Sequence, residues 1–157
     1  MRRDYFTLGV HGVEWVDTGG EPERPVVVID FEGPESLLRE RITDTEGELL
    51  DASSVDVSFR LQTGVDDDEA VGVVSVTDRL TGDFVLELNV GADHVLSFIR
   101  AARRFGKHAG DDTDRYEITI QIDGEEIVTY GKQTFLVYDR DGALLRQHSL
   151  IPSGVEL

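Results

Sequence analysis

In VDVSFRLQ, residues 55–62, an extended chain puts Val55, Val57, Phe59 and Leu61 on one side and Asp56, Ser58, Arg60 and Gln62 on the other, because successive side chains of a strand point to opposite faces. A period of two with one apolar side marks a half-buried β-strand. The same beat recurs in DFVLELNV, with Phe84, Leu86, Leu88 and Val90 inward, and in RYEITIQI, with Tyr116, Ile118, Ile120 and Ile122 inward. PVVVIDF, residues 25–31, is a nearly continuous β-branched run and predicts a central strand covered on both faces. Further strands are expected at 4–9, 71–78, 126–130, 133–139 and 144–150.

Hairpin chemistry separates these segments. Thr81-Gly82, Asp123-Gly124 and Asp141-Gly142 supply the positive φ that tight turns require. DTEGELL (44–50) and DRDGALL (139–145) share an Asp-x-acid-Gly-x-Leu-Leu pattern, which reads as one turn type used twice. PESLLRERI, residues 34–42, is ambiguous: Pro34 favours a helix start, yet Leu38, Glu40 and Ile42 also alternate. One segment is unambiguously helical. From Asp93, placed to cap an N-terminus, to Gly106, placed for a left-handed C-terminus, Val95, Phe98, Ile99, Ala102 and Phe105 form one apolar stripe at 3.6-residue spacing. The expected architecture is a single domain over residues 1–157, mainly β: an antiparallel sandwich of about eight or nine strands with one amphipathic helix, 93–105, on a face or end. An α+β layer with a curled sheet is the alternative.

The 157 residues carry 32 Asp and Glu against 15 Lys and Arg, a formal charge of -17, and only two of the basic residues are Lys. Disordered acidic chains lack hydrophobic patterning, whereas this one is 39% hydrophobic and alternates cleanly. The balance fits a folded domain built for molar salt, where the Debye length shrinks to about 3 Å. There is no Cys, which excludes disulfides, thiolate metal sites and cysteine nucleophiles. MRRDYFTLGVHGVEW lacks the features of a secretory signal, and no run reaches the ~18 apolar residues of a membrane span, so the expectation is a cytoplasmic protein.

Against this acidity, FIRAARRFGKHAGDDTDR (98–115) holds four cations within eight positions: Arg100, Arg103, Arg104 and Lys107. Helical geometry gathers them on a face separate from the apolar stripe. They can serve the macrodipole in the helix's last turns and pair with Asp111, Asp112 and Asp114, or they can receive an acidic protein or peptide. Nucleic acid is disfavoured by the repulsive overall field and by the steep loss of phosphate binding with salt. A second candidate is LLRQHSL (144–150): as a strand it places Arg146 and His148 on one face, where Tyr130, Lys132 or Tyr138 would complete an anion or small-molecule pocket. His148 and adjacent Ser149 would point to opposite faces and make no catalytic pair.

The acidic runs at 66–69 and 111–114 read as solvated turns. A calcium loop begun at Asp139 fails because its twelfth position is Leu150 instead of a bidentate Glu. The hydrolase, zinc-protease, P-loop and dinucleotide motifs are missing, and His11, His94, His108 and His148 lack ligand spacing. No cofactor, metal or membrane partner is therefore expected, and nothing fixes an oligomeric state.

Taken together, MRRDYFTL, TGDFVLELN, FIRAARRFG and the tail TFLVYDRDGALLRQHSLIPSGVEL are similar to a family of short, acidic, uncharacterised haloarchaeal proteins. The similarity runs along the whole chain, and its most specific part is the C-terminal block. It implies a halophilic source and brings no activity, cofactor or catalytic residue with it. The functional expectation is a non-enzymatic interaction module that docks through Arg100, Arg103, Arg104 and Lys107. The alternative is a small anionic-ligand-binding or enzymatic domain with a pocket near Arg146 and His148.

Overall fold

The structure, a computed structural model, describes residues 2–110 and 113–152. In chain order it contains β1 (Phe6–His11), α1 (Trp15–Thr18), β2 (Val26–Phe31), α2 (Glu35–Ile42), β3 (Val55–Leu61), β4 (Val71–Asp78), β5 (Phe84–Gly91), α3 (Ala92–Ala109), β6 (Tyr116–Ile122), β7 (Glu125–Lys132) and β8 (Leu136–Tyr138). The eight strands form two four-stranded sheets, ordered β1-β2-β6-β7 and β5-β4-β3-β8. The chain lays down half of the first sheet, crosses to build most of the second, returns for β6 and β7, and ends on the second. Neither sheet comes from one contiguous segment.

The sheets are mixed, which corrects the antiparallel expectation. β2 runs parallel to β6 and β3 runs parallel to β8, while the remaining pairs are antiparallel. Alternation within a strand reports which face is apolar and carries no information about a partner's direction. Parallel neighbours need long crossovers, and here α2, β3 to β5 and α3 lie between β2 and β6.

β3 alternates as its sequence dictates, with Val55, Val57, Phe59 and Leu61 buried. β2 is internal to its sheet as expected, but only Val27, Ile29 and Phe31 are buried, and the opposite side, Val26, Val28 and Asp30, is half-buried. In β5 the inward reading of Phe84 fails: the strand slips register opposite Val76 and Thr77, so Val85 and Leu86 are both buried and Phe84 is 48% exposed. A bulge of this kind adds a residue and reverses the facing of the residues beyond it.

The ambiguous segment 34–42 resolves as helix α2, where Leu38 and Ile42, one turn apart, are buried together. The short α1 lies outside the expected elements. Its Trp15 is buried and donates its indole N–H to Gly12 O at 2.7 Å. The two Asp-x-acid-Gly segments do fold as one turn used twice. Asp44 Oδ1 accepts the N–H groups of Glu46 and Glu48, and Asp139 Oδ1 accepts those of Asp141 and Ala143. Each turn is closed by matching backbone pairs, Asp44 with Glu48 and Asp139 with Ala143.

One core joins both sheets and α3. Ile29, Phe31 and Ile120 enter from the first sheet, Phe59, Val76, Leu86 and Leu88 from the second, and Val95, Phe98, Ile99 and Ala102 from the helix. Lys132, at the end of β7, ties this sheet to the start of the other by donating to Ala52 O at 2.7 Å and Val55 O at 2.8 Å. Burial, reinforced by the charge of Arg79, holds the Lys132 ammonium below the ordinary lysine range. The unfolded chain therefore binds the extra proton between the lowered folded value and the ordinary one, and this group's contribution to stability rises with pH across that window. Lys132→Ala is expected to cost about 1.5–3 kcal/mol, the weight of hydrogen bonds to a charged donor. An unchanged urea midpoint would show that the two carbonyl contacts carry no stability.

Candidate functional site

α3 is longer than its sequence signals indicate, and its ends differ. Gly91 occupies the N-cap and no side chain caps it, so Asp93 lies within the first turn. Gly106 remains helical and buried, and the helix ends at Gly110, whose φ is positive at 100° but whose ψ of 165° is extended. Gly106 has a packing reason to lack a side chain: a Cβ there would stand 2.8 Å from Arg115 Nε. The Arg115 side chain lies directly over this bare stretch of helix. The apolar stripe holds through Val95, Phe98, Ile99 and Ala102, and Phe105 ends it half-buried, with the Arg24 guanidinium 5.4 Å from its ring centroid.

The four cations of α3 go to different places. Arg100 reaches Asp17 at 3.5 Å, and Arg104 donates to Val16 O at 3.3 Å, so both brace α1. Arg100 and Asp17 are both mostly exposed, a setting in which an ion pair contributes at most about 1 kcal/mol. Arg103 Nη2 donates to Gln147 O at 3.0 Å and Ser149 O at 2.9 Å, clamping the C-terminal segment to the helix. Lys107 is exposed and has no ion pair among the described residues. Of the expected acidic partners, Asp111 and Asp112 lie outside the described residues. Asp114 forms no ion pair among the described residues; its side chain rests against Gly131 on β7, and its backbone carbonyl accepts the Arg24 Nε–H at 3.0 Å.

The segment 144–150 is not a strand. Leu144 and Leu150 make single bridges, to Tyr138 and Phe135, and the residues between coil into a 3-10 turn, Arg146–His148. A 3-10 turn has three residues per turn, so residues two apart point to different sides. Arg146 and His148 consequently line different cavities. Their expected companions are elsewhere: Tyr130 is 1% exposed with an unpartnered hydroxyl, Lys132 is bound to the Ala52 and Val55 carbonyls, and Tyr138 pairs with Arg60 across β8 and β3. Burial raises the Tyr130 phenol well above its usual range. Ser149 is a buried staple; its hydroxyl accepts the Val137 N–H at 2.9 Å and donates to Leu145 O at 2.8 Å.

What the fold assembles is a combination of the two sequence candidates. Between the last turns of α3 and the C-terminal segment lies a cavity of about 520 Å³ bounded by Arg103, Lys107, Arg115 and Arg146, together with Gly106, Gln147, Ser149 and Ile151. Four cations and no described carboxylate surround this one space, in a chain of net charge -17. A neighbouring cavity of similar size, with Asp93, Arg100 and His148 in its wall, lies on the other side of Arg103 and Gln147. Arg115 ends the stretch 98–115 but stands outside its cluster of four cations, and no helical spacing joins it to them; only the packing over Gly106 does. The site thus offers positive charge from three chain segments, and the hydroxyl in its described walls, that of Ser149, is taken up by Val137 N and Leu145 O.

Elsewhere, Asp44, Glu46 and Glu48 bring one carboxylate oxygen each within 4.8 Å of one another, all exposed. The same Asp44 Oδ1 already holds the turn's backbone. No described helix is long and apolar enough to cross a membrane.

A family model matches residues 1–157. The chain belongs to DUF5793, a family of unknown function. Membership therefore agrees with the whole-chain similarity read from the sequence and assigns no chemistry to the cationic cavity. No curated protein and no solved structure gives a match.

Proposed function

We propose that this member of the family is a non-enzymatic, halophilic, cytoplasmic interaction module, its two sheets packed as a sandwich, that receives an acidic segment of a partner protein in the cationic cavity at the end of α3. The observation that carries the reading is the concentration of Arg103, Lys107, Arg115 and Arg146 around one space without a described acid. On an acidic surface an arginine ordinarily finds a carboxylate, as Arg79 does with Asp56 and Arg24 with Glu117. Among the described residues, Lys107 and Arg115 pair with no carboxylate. The Lys107 and Arg115 charges, set around one space, repel each other at a cost that an anionic partner removes. Arg100 and Arg104, the other half of the sequence-predicted docking face, turn instead to α1. The commitment of the Ser149 hydroxyl to Val137 N and Leu145 O favours binding over catalysis.

The test is a titration of the full chain with a fluorescent decaglutamate peptide in KCl sufficient to keep it folded. Saturable binding is expected, weakened at least tenfold by Lys107→Glu with Arg115→Glu, with the far-UV circular dichroism unchanged. Equal affinity of the wild type and the reversal variant would remove the cavity from the proposal.

A further inference from the structure

The donors around this cavity discriminate among anions. Resting on the docking role just described, we infer that the group the cavity recognises is a phosphomonoester carried on the partner, a phosphoserine or phosphothreonine within an acidic segment, rather than a carboxylate. A carboxylate is planar and is best held by the two parallel N–H bonds of a guanidinium fork. Both forks of a guanidinium use Nη2, either with Nε or with Nη1. In Arg103 that nitrogen is committed to two backbone carbonyls, Gln147 O and Ser149 O. What Arg103 has left for a ligand is its Nε–H and the Nη1 hydrogens, single donors that do not form a fork.

Lys107, one helical turn further on, adds a point charge with rotatable donors. Arg115 enters from a third direction, the residue before β6, and lies over Gly106. Donors converging from two places on α3 and from Arg115 suit the three oxygens of a tetrahedral dianion. The cavity, about 520 Å³, has room for the side chain bearing the phosphate as well as the anion itself, and its described walls include no aromatic residue on which a nucleotide base would stack. Gly106 is then a positioning residue: its missing Cβ is what seats Arg115.

Three versions of one peptide, Glu-Glu-Xaa-Glu-Glu with serine, aspartate or phosphoserine at Xaa, separate the possibilities when titrated against the full chain at one KCl concentration. The phosphoserine peptide is expected to bind at least tenfold more tightly than the aspartate peptide. Gly106→Ala should cut that preference to below threefold by displacing the Arg115 guanidinium. If that variant loses its native circular dichroism, Arg115→Gln removes the same donor without adding a Cβ and should give the same result. Aspartate and phosphoserine peptides of equal affinity would overturn the inference and leave the acidic-partner reading standing. No binding of any peptide would end both. Glycerol 3-phosphate binding as tightly as the phosphopeptide would overturn the partner-borne source.

Discussion

Phe98→Ala is expected to lower the unfolding free energy by about 3–5 kcal/mol, the range for removing a fully buried aromatic side chain and leaving a cavity. Phe98 is 1% exposed and sits where three parts of the chain meet. Its ring packs edge-on against Tyr116 of β6 at 5.0 Å between centroids and against Phe135, which precedes β8, at 5.4 Å; Tyr116 and Phe135 close the triangle at 5.9 Å. Each such pair adds about 0.5–1.5 kcal/mol beyond the area it buries. One side chain therefore couples the helix to the first sheet and to the segment leading into the second. Because Phe98 also fixes the face of α3 from which Arg103 and Lys107 project, the variant should weaken peptide binding even under conditions where it remains folded. Urea melts at fixed molar KCl measure the stability loss, with Leu80→Ala as the control, since Leu80 is 92% exposed. A midpoint shift no larger than the control's would mean that the aromatic triangle does not carry the core.

What the sequence discloses depends on how local its cause is. The bounds of β4 are those expected, and β3 and β6 bury the residues their alternation assigns. The turn at Asp123-Gly124 takes positive φ at both positions, 49° and 83°, as its dipeptide requires. The repeated Asp-x-acid-Gly turn is visible for the same reason, since each hydrogen bond that makes it spans four residues or fewer.

The misreadings occur where a distant part of the chain decides. The alternation of Leu144, Arg146, His148 and Leu150 imitates a strand, but only its two ends find bridges, and the middle is held by Arg103 from across the fold. Gly106 looks like a helix stop because glycine usually is one; here it is a seat for Arg115, nine residues on. The parallel pairings join strands of distant segments and leave no mark in any window. The cavity shares this character. Arg103, Lys107 and Arg146 each stand out in the sequence, but no spacing rule brings the helix and the tail together or adds Arg115 to them.

The surface charge predicts the other large effect: the melting temperature should fall by about 10 °C or more between 3 M and 0.1 M KCl, corresponding to about 3–5 kcal/mol for a chain of this size. Of the 32 Asp and Glu, six are ion-paired among the described residues: Asp4, Asp17, Glu35, Asp56, Glu87 and Glu117. Those pairs are largely exposed and weak, so they do little to offset a net charge of -17. At 0.1 M salt the Debye length is about 10 Å and neighbouring carboxylates repel across the surface; at 1 M it is about 3 Å and each is screened from the next. Screening should therefore be nearly complete by about 1 M, whereas a general strengthening of the hydrophobic effect would continue to grow with salt. The turn at 66–69 separates the two causes, because Asp66 and Asp68 are exposed and their carboxylates hold none of its backbone, while Asp67 Oδ1 accepts the Glu69 N–H. Asp66→Asn with Asp68→Asn should raise the melting temperature at 0.1 M KCl and leave it unchanged within error at 3 M. A variant equally stabilised at both concentrations, or a wild type whose melting temperature ignores KCl, would show that charge repulsion does not limit the folded state.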